Sequence, residues 1–304
     1  MRSVVVALIL LVQPLVASAT LELVVLGSGG PRAFGRAGTS YLVLVDGEAR
    51  VLVDAGPGAF VQLGKLGIDT NRLEVILLTH LHIDHSADVP AIFLARALSA
   101  DGPIRFRVFG PAGSGAFPGV TQWLHVLFEA GGAFPYQKTF GADEEIEGHD
   151  LPTALESPVQ ELVSADGVTI TAVATHHGDC PSIAYRVEHG GKSITFSGDM
   201  DASALPNLER LARDTDLLVA HAAVLDPPLS PEQLYALHTP PRALGEAARA
   251  ARVKALLLAH IAPAIEARQA AVLRSVSASY KGAVRFARDG LRVPIRRTEP
   301  APSR

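Results

Sequence analysis

One short segment of the sequence concentrates residues that bind metal ions. His80, His82, Asp84 and His85 place three imidazoles and one carboxylate within six positions, directly after the apolar run Glu74–Leu78. In an extended turn, His80 and His82 project from one side and can share a metal ion. Asp84 and His85 then face another direction and can serve a second ion. Neutral imidazole and carboxylate suit zinc, and also manganese or iron, so the segment predicts a binuclear site.

Three further residues of metal-ligand type stand near the ends of predicted strands. His177, Asp199 and His260 each follow or end a short apolar run. Loops at the carboxyl ends of strands gather at one edge of a sheet, where sites form. One such residue alone is commonly a turn residue or a cap, but three of them beside the histidine cluster indicate one shared site. His176 competes with His177, and strand alternation lets only one of the two reach the metal ions.

The elements that must position these residues alternate between short strands and helices, which predicts a layered α/β domain. Strands are predicted at Leu21–Leu26, Ser40–Val45, Arg50–Val53, Glu74–Leu78, Thr169–Thr175, Ile183–Glu188, Ser193–Phe196, Leu217–Val219 and Ala255–Ala259, and helices at Val89–Leu98, Arg242–Ala251 and Ile265–Tyr280. Gly282 is expected just beyond the last helix as its C′ residue. We expect loops that flank the metal ions at Gly110–Pro118 and Phe134–Glu161, and core positions for Trp123 and Phe128 on a helix.

The motifs resemble the metallo-β-lactamase superfamily from Leu21 to about Ile295, and within it the ribonuclease Z and arylsulfatase-like branch. In chain order, the motif residues of the superfamily fall on Asp54, His80, His82, Asp84, His85, His177, Asp199 and His260. The stretches most typical of the branch are the glycine-rich opening Leu26–Pro31 and the run from His177 to Arg186. The resemblance implies an α/β fold of four layers, an αββα sandwich, with two metal ions at one edge of the sheets.

The resemblance also implies a role for each ligand. It assigns His80, His82 and His177 to one ion, Asp84, His85 and His260 to the other, and Asp199 to both. The family spacing to Pro181 favours His177 over His176, and Asp54 either orients a ligand imidazole or caps a turn. Two Zn²⁺ ions, with Mn²⁺ or Fe²⁺ as alternatives, lower the pKa of a bridging water and provide hydroxide near neutral pH.

The residue that protonates the leaving group is the least defined part of the site. Ribonuclease Z enzymes carry a His-Glu-Ala-Thr segment after the fourth motif, and here Ala220 and His221 stand at the positions of its His and Glu. The candidate catalytic residues are Asp84, His221 and His238, and either histidine can be the proton donor or a structural residue. Cys180 is expected to be a buried or turn thiol. The remaining histidines expected at the surface are His125, His149 and His189.

Composition excludes several classes of protein. The 304 residues include 48% hydrophobic side chains, which excludes wholesale disorder, and one cysteine, which excludes an intramolecular disulfide or a Cys-based metal knot. The net charge is −4, and no Lys or Arg occurs between positions 139 and 185. A protein that grips RNA needs a basic footprint. RNA is therefore an unlikely partner, a small-molecule anionic ester is the expected substrate, and a homodimer is compatible with the sequence.

The first nineteen residues have the pattern of a secretory signal. A positive start at Arg2 precedes the apolar run Val4–Val12, and Ala17-Ser18-Ala19 matches a signal-peptidase site. The run falls short of the roughly 20 residues that span a bilayer, so no stable membrane anchor is expected. Cleavage after Ala19 leaves one hydrolase domain, 20–304, with a frayed tail at 298–304. The mature protein is expected to be secreted or periplasmic.

These features support one leading hypothesis and two alternatives. The leading hypothesis is an exported binuclear zinc hydrolase that uses a metal-bridging hydroxide on a small anionic ester, either a phosphodiester or an aryl sulfate. The first alternative is a lactonase, thioesterase or β-lactamase-like hydrolase that uses the same hydroxide. The second is a metal-containing carrier without turnover. The complete set of seven candidate ligands favours hydrolysis, because a carrier does not need two metal ions.

Overall fold

The computed structural model describes residues 19–32, 34–100, 102–139 and 144–296. The predicted signal up to Ser18 and the predicted tail at 298–304 lie outside the described residues. The helices and strands of the first half are β1 (Leu21–Gly27), β2 (Ser40–Val45), β3 (Glu48–Ala55), α1 (Ala59–Leu66), β4 (Val75–Leu77), α2 (Ile83–Ser86), α3 (Val89–Leu98), β5 (Ile104–Pro111), α4 (Val120–Phe128) and β6 (Glu144–Leu151).

The second half continues with the same mixture of elements. Its helices and strands are β7 (Gln160–Ala165), β8 (Val168–His177), β9 (Cys180–His189), β10 (Lys192–Phe196), α5 (Leu205–Leu211), β11 (Leu217–His221), α6 (Pro241–Ala250), β12 (Ala255–Ala259), α7 (Pro263–Glu266), α8 (Gln269–Ser279), β13 (Ala283–Phe286) and β14 (Arg292–Ile295). Short 3₁₀ helices occupy Pro135–Thr139, Ala202–Ala204 and Glu232–Ala236. Within the described ranges, no helix has the length and apolar character needed to cross a bilayer.

The strands form two seven-stranded sheets. The first has the order β14-β1-β2-β3-β4-β5-β6, and the second has the order β13-β12-β11-β10-β9-β8-β7. Strands β3 to β6 are parallel to one another, and so are β10 to β13. The carboxyl ends of β4, β10, β11 and β12 therefore carry the loops from which a site can be built.

The two sheets pack face to face, and helices cover both outer faces. Strand β1 shows the arrangement, since Leu21, Leu23 and Val25 enter the core between the sheets. Val24 and Leu26 point the other way, into a second core beneath α1, α3 and α4. A third core lies between the other sheet and α5, α6 and α8. The predicted α/β class and four-layer αββα sandwich are confirmed, and burial on both faces explains the continuous apolar runs of the strands.

The side chain of Tyr185 links the two sheets by hydrogen bonds. Tyr185 on β9 is fully buried, and its hydroxyl donates to the Leu78 carbonyl at 3.0 Å and to the Phe109 carbonyl at 3.3 Å. Both carbonyls lie at the ends of strands of the opposite sheet. A buried tyrosine needs such partners to offset its desolvation, and here they fix the ends of β4 and β5 against the second sheet.

The long helix predicted at Ile265–Tyr280 is wrong, because the structure divides it into α7 and α8. Arg268, between them, leaves the helical region with φ −134° and ψ 27°. Gly282 is not the C′ residue of α8, which ends at Ser279. A Cβ at Gly282 would lie 2.1 Å from the Tyr280 hydroxyl oxygen, so this glycine serves close packing rather than a helix cap.

The loop predicted over Phe134–Glu161 is also wrong in its middle, where β6 forms. This strand lies at the edge of the first sheet and pairs with β5, so that Arg105 stands opposite Glu145. The Arg105 guanidinium donates to the Glu145 carboxylate at 2.9 Å. Edge strands accept charged side chains because one border faces solvent. The acidic residues of β6 therefore do not show the apolar pattern by which a strand is recognised in the sequence.

Three residues outside the site complete the comparison with the sequence. His189 is buried, with its ring bonded to the Gly167 carbonyl and the Asp46 carboxylate at 2.9 and 3.0 Å, so its predicted surface position is wrong. His125 is exposed as expected. Cys180 is a buried free thiol, as predicted, and burial raises its pKa to about 12.

Candidate metal centre

The loop after β4 holds the first two histidines against each other. His82 has an extended backbone, with φ −63° and ψ 149°, and α2 begins at the next residue. His80 is fully buried and His82 half-buried. His80 Nε2 lies 3.0 Å from His82 Nδ1, so the two ring nitrogens point at a common place. The predicted pairing of these imidazoles is present in the structure.

His177 joins this pair from the other sheet. It is the last residue of β8, and the tight turn to β9 places Gly178 in the left-handed region at φ 57°. His177 Nδ1 donates to the Leu237 carbonyl at 2.7 Å, which directs Nε2 towards the site. Nitrogen atoms of His80, His82 and His177 all lie within 4.8 Å of one another. These three form the first ligand group.

His176 points away from this group, as strand alternation requires. Its Nδ1 lies 2.7 Å from the Asp201 carboxylate, and its side chain is 46% exposed. We expect His177→Ala to lower metal content and His176→Ala to preserve it, because only the first change removes a candidate ligand atom. Metal analysis of the two purified variants tests this matched pair. Equal metal contents in the two variants would contradict the assignment.

The second group contains His85, His260, Asp84 and Asp199. His260 Nε2 lies 3.2 Å from an oxygen of each carboxylate, and His85 Nε2 lies 3.6 and 3.5 Å from the same two oxygens. His260 directly follows β12 and lies in the left-handed region, at φ 52°. A Cβ at Gly30 would lie 2.5 Å from the His260 ring, so only glycine there leaves space for the imidazole in this position.

Asp199 connects the two groups. Its Oδ2 atom lies 3.9 and 3.7 Å from the Nε2 atoms of His80 and His177, and 3.5 and 3.2 Å from those of His85 and His260. One carboxylate oxygen therefore faces imidazoles of both groups. This is the geometry expected of a residue that contacts two ions, the role that the sequence resemblance implies for it.

The charges of the centre fit bound cations. Asp54, Asp84 and Asp199 are all buried, and within the described part of the chain none of them forms an ion pair with a lysine or arginine. Burial alone raises the pKa of Asp199, but the imidazoles outweigh it and hold that pKa well below its ordinary value. Burial lowers the pKa of His80, which favours the neutral, ligand form. Buried carboxylates need a compensating positive charge.

Two buried ring nitrogens of the centre, His85 Nε2 and His260 Nδ1, also lack a hydrogen-bond partner among the described residues. Of these, His85 Nε2 faces two carboxylates. Burial opposes a charge on this ring, but the carboxylates of Asp54 and Asp199 raise its pKa well above the ordinary value. The pocket thus favours a positive charge beside Nε2, which a divalent cation supplies as well as a proton does. The residues present fit a metal ion.

Asp54 and Thr79 hold the ligand loop in position. His85 Nδ1 donates to Asp54 Oδ2 at 2.8 Å, and the Thr79 amide and hydroxyl donate to the two oxygens of the same carboxylate, each at 2.8 Å. Asp54 itself has φ 56°, a conformation that Asp and Asn adopt more readily than most residues. Of its two predicted roles, the orientation of an imidazole is the one that the structure shows.

The two histidines proposed as proton donors have different surroundings. His221 Nδ1 lies 2.7 Å from Asp199 Oδ1 and its Nε2 lies 3.1 Å from the Tyr41 hydroxyl, so both ring nitrogens are engaged. By distance His221 also belongs to the second ligand group. His238 has 13% of its side chain exposed and lies 3.9 Å from Asp199 Oδ1. Burial lowers the pKa of His238 to about 4.

Sequence reasoning missed several residues that shape the centre. Thr79 stands next to the histidine motif, so its position was a usable signal. Tyr41 gave no signal, because it lies in a strand like any apolar core residue. Phe117 packs its ring 5.8 Å from the His82 ring, which places the end of the predicted loop Gly110–Pro118 beside the site as expected.

With this geometry established, comparison with known proteins identifies the family. The sequence profile described as the beta-lactamase superfamily domain matches residues 49–261. The chain belongs to the β-lactamase superfamily. Within the superfamily it is similar to Ribonuclease Z of Mycobacterium sp. strain KMS, with 31% identity over 276 residues that span 85% of this chain and 90% of that protein. Ribonuclease Z of Mycobacterium bovis strain BCG Pasteur 1173P2 is 29% identical over 90% of this chain and 98% of its own length.

Solved structures of the superfamily show the same fold. Human tRNase Z, short form, has a TM-score of 0.68 at 21% identity over 90% of this chain and 99% of its own. The metallo-beta-lactamase fold protein YhfI from Bacillus subtilis has a TM-score of 0.66 at 19% identity and the same coverages. The protein is therefore a hydrolase of the metallo-β-lactamase fold, with a His and Asp cluster able to hold metal.

Proposed function

We propose that the protein is an exported phosphodiesterase that depends on two divalent metal ions. The observation that carries the proposal is the position of Asp199 Oδ2, which faces imidazoles of both ligand groups at 3.2–3.9 Å. Zinc is the proposed metal, because imidazole nitrogen and carboxylate oxygen dominate the donor set and Cys180 is not part of it. Manganese or iron would suit the same donors.

The assignment of ligands follows the two groups. His80, His82 and His177 would hold one ion, and Asp84, His85 and His260 would hold the other, with Asp199 shared. A bound pair of divalent cations supplies an activated nucleophile and offsets negative charge that develops on the ester oxygens. The chain's own contribution is to fix the imidazoles, through the Asp54 carboxylate on His85 and the Leu237 carbonyl on His177.

His238 is the better placed of the two proposed proton donors. His221 has partners at both ring nitrogens, whereas His238 is partly open to solvent and packs 5.2 Å from the His177 ring and 5.7 Å from the His260 ring. A general acid must reach the leaving group without breaking existing hydrogen bonds. His221 is then a positioning residue that holds Asp199, and His238 is the residue that would face the leaving group. Burial keeps the pKa of His238 low, so the negative charge of a bound ester would have to raise that pKa before the ring could donate a proton.

A phosphodiester is favoured over an aryl sulfate because the related proteins named Ribonuclease Z are phosphodiester-cleaving enzymes by name. Those names weigh weakly against the expectation that RNA is an unlikely partner. We still propose a small ester, because the net charge is −4 and positions 139–185 carry no basic residue. Export is proposed on the signal-like first nineteen residues alone.

The test of this function is turnover on a defined panel by the metal-loaded mature protein. We expect chelator-sensitive hydrolysis of bis(4-nitrophenyl) phosphate to exceed that of 4-nitrophenyl phosphate, 4-nitrophenyl sulfate, a lactone and a cephalosporin. A tRNA precursor in the same panel tests the RNA alternative. Preference for the precursor, or the absence of any chelator-sensitive turnover, would overturn the proposal. His176→Ala serves as the control variant, since His176 is exposed and points away from the ligands.

Export is tested by a separate experiment. Sequencing the N-terminus of the protein from an expressing Gram-negative culture is expected to show Thr20 as the first residue, because Ala17-Ser18-Ala19 matches a signal-peptidase site. A retained Met1 would contradict export by this route and would leave the hydrolase assignment unaffected.

A further inference from the structure

A second concave site lies behind the ligand loop. The cavity has a volume of about 610 Å³, within the range of small-molecule sites. It lies where α2, α3 and α4 meet the segment after α4. Its lining includes Leu81, Ile83, Ser86, Trp123, Phe134 and Gln137. None of these side chains is charged, so the cavity suits an uncharged, mainly apolar ligand.

One polar atom of this lining lacks a partner. Gln137 is only 2% exposed, and its Nε2 donates to the Pro90 carbonyl at 2.8 Å. Its Oε1 has no hydrogen-bond partner anywhere in the described residues. A buried carbonyl oxygen without a donor is less stable than one that accepts a hydrogen bond. A ligand that brings an N–H or O–H group would supply that donor.

The hydroxyl of Ser86, also in the lining, does not supply the donor that Gln137 Oε1 lacks. The Ser86 hydroxyl donates to the His82 carbonyl at 3.0 Å. Ser86 can therefore offer a ligand only its acceptor lone pairs, as Gln137 Oε1 does. The apolar character continues to the rim, where Ile83 is 73% exposed. Because most of the Ile83 side chain is exposed beside the cavity, it adds apolar surface that an apolar ligand can cover.

The cavity shares its wall with the metal centre. Leu81, Ile83 and Ser86 line the cavity. In sequence, Leu81 and Ile83 alternate with His80, His82 and Asp84, and Ser86 directly follows His85. A ligand in the cavity therefore packs against the same loop that carries the candidate metal ligands. The cavity and the centre share no side chain, and each takes different residues from one short segment.

We propose that this cavity binds a small aromatic or alicyclic molecule, or the corresponding part of a larger one, through apolar packing and one donor to Gln137 Oε1. Trp123, Phe134 and Leu127 supply the apolar walls. The ligand group that donates to Gln137 Oε1 is a hydroxyl or an amide N–H. The binding does not depend on the metal ions, because no candidate metal ligand lines the cavity.

Intrinsic tryptophan fluorescence can report binding at this site. Trp123 lines the cavity and is the single tryptophan of the chain, so its fluorescence reports the occupancy of the cavity. We expect 4-cyclohexylphenol to change this emission saturably in the mature, metal-loaded protein. Its methyl ether, which lacks the donor, is expected to bind about fivefold to tenfold more weakly, the difference made by one hydrogen bond.

Variants separate the two parts of the proposal. Ala91→Phe on α3 fills the cavity and is expected to weaken binding of the phenol more than tenfold, whereas Leu98→Phe, exposed at the end of the same helix, leaves it unchanged. Gln137→Met removes the acceptor and is expected to abolish the preference for the phenol over its ether. The ligand pair keeps the test valid even if one variant fails to fold.

The outcomes also distinguish this site from the metal centre. Retention of phenol affinity after chelator treatment supports the cavity, and its loss would overturn it by placing the phenol on the metal ions. The absence of saturable change, or equal affinities for the phenol and its ether, would overturn it as well. Competitive inhibition of phosphodiester turnover would identify the bound group as part of the substrate, and binding without inhibition would identify a separate ligand. Failure of the turnover panel alone leaves the fluorescence result unaffected.

Discussion

Asp199→Asn is expected to reduce phosphodiester turnover by more than about a hundredfold and to release at least one metal ion per chain. The substitution keeps the shape of the side chain and removes the charge that faces four imidazoles. Changes that only support a ligand already cost roughly 10–100-fold, and Asp199 is placed to contact both ions. Metal content per chain and the turnover rate are the two measurements.

The matched control is Asp201→Asn, two positions further along the chain. Asp201 is also buried, but it accepts from the Ser203 amide at 2.9 Å and contacts exposed His176 rather than the ligand groups. We expect this variant to retain its metal and its turnover. Full metal content and full turnover in Asp199→Asn would refute the bridging role.

Asp54→Ala is expected to destabilise the fold by about 3–5 kcal/mol, the range for removing one partner of a buried charged network. The change leaves three buried donors without their acceptor: the Thr79 amide, the Thr79 hydroxyl and His85 Nδ1. It also places alanine at φ 56°, where an ordinary side chain is strained. The free energy of unfolding, from denaturant titration, is the measurement.

Asp54→Asn provides the comparison for this prediction. Asparagine tolerates the left-handed backbone and retains one carbonyl acceptor, so we expect a smaller loss of stability together with weaker orientation of His85. A loss below 1 kcal/mol for the alanine variant would show that the three donors find other partners. Similar losses for both variants would assign the effect to charge rather than to backbone strain.

The parts of the site that could be predicted are those encoded locally. The close spacing of His80, His82 and His85 after an apolar strand requires no knowledge of the rest of the chain. Strand alternation lets only one of His176 and His177 reach the site, and the family spacing to Pro181 selects His177, which the structure places beside His80 and His82. Strand ends and turn residues therefore carried most of the information about the candidate ligands.

The parts that could not be predicted depend on partners distant in sequence. Strand β6 is rich in acidic residues and is stabilised by Arg105, about 40 positions earlier. The break between α7 and α8 falls at Arg268, without a glycine or proline to mark it. His221 acquires its contacts from Tyr41, 180 positions away. No local sequence pattern predicts such long-range contacts.

The candidate ligands come from both sheets, and this has a consequence for folding. His80, His82, Asp84 and His85 follow a strand of the first sheet, whereas His177, Asp199 and His260 end or follow strands of the second. Neither sheet alone offers a complete set, so an ion gains its full coordination only after the two have closed. Binding energy released at that point is added to the stability of the closed state. Bound metal would then link the two sheets, which come from the two halves of the chain. Metal affinity would depend on how stable the packing between the sheets is.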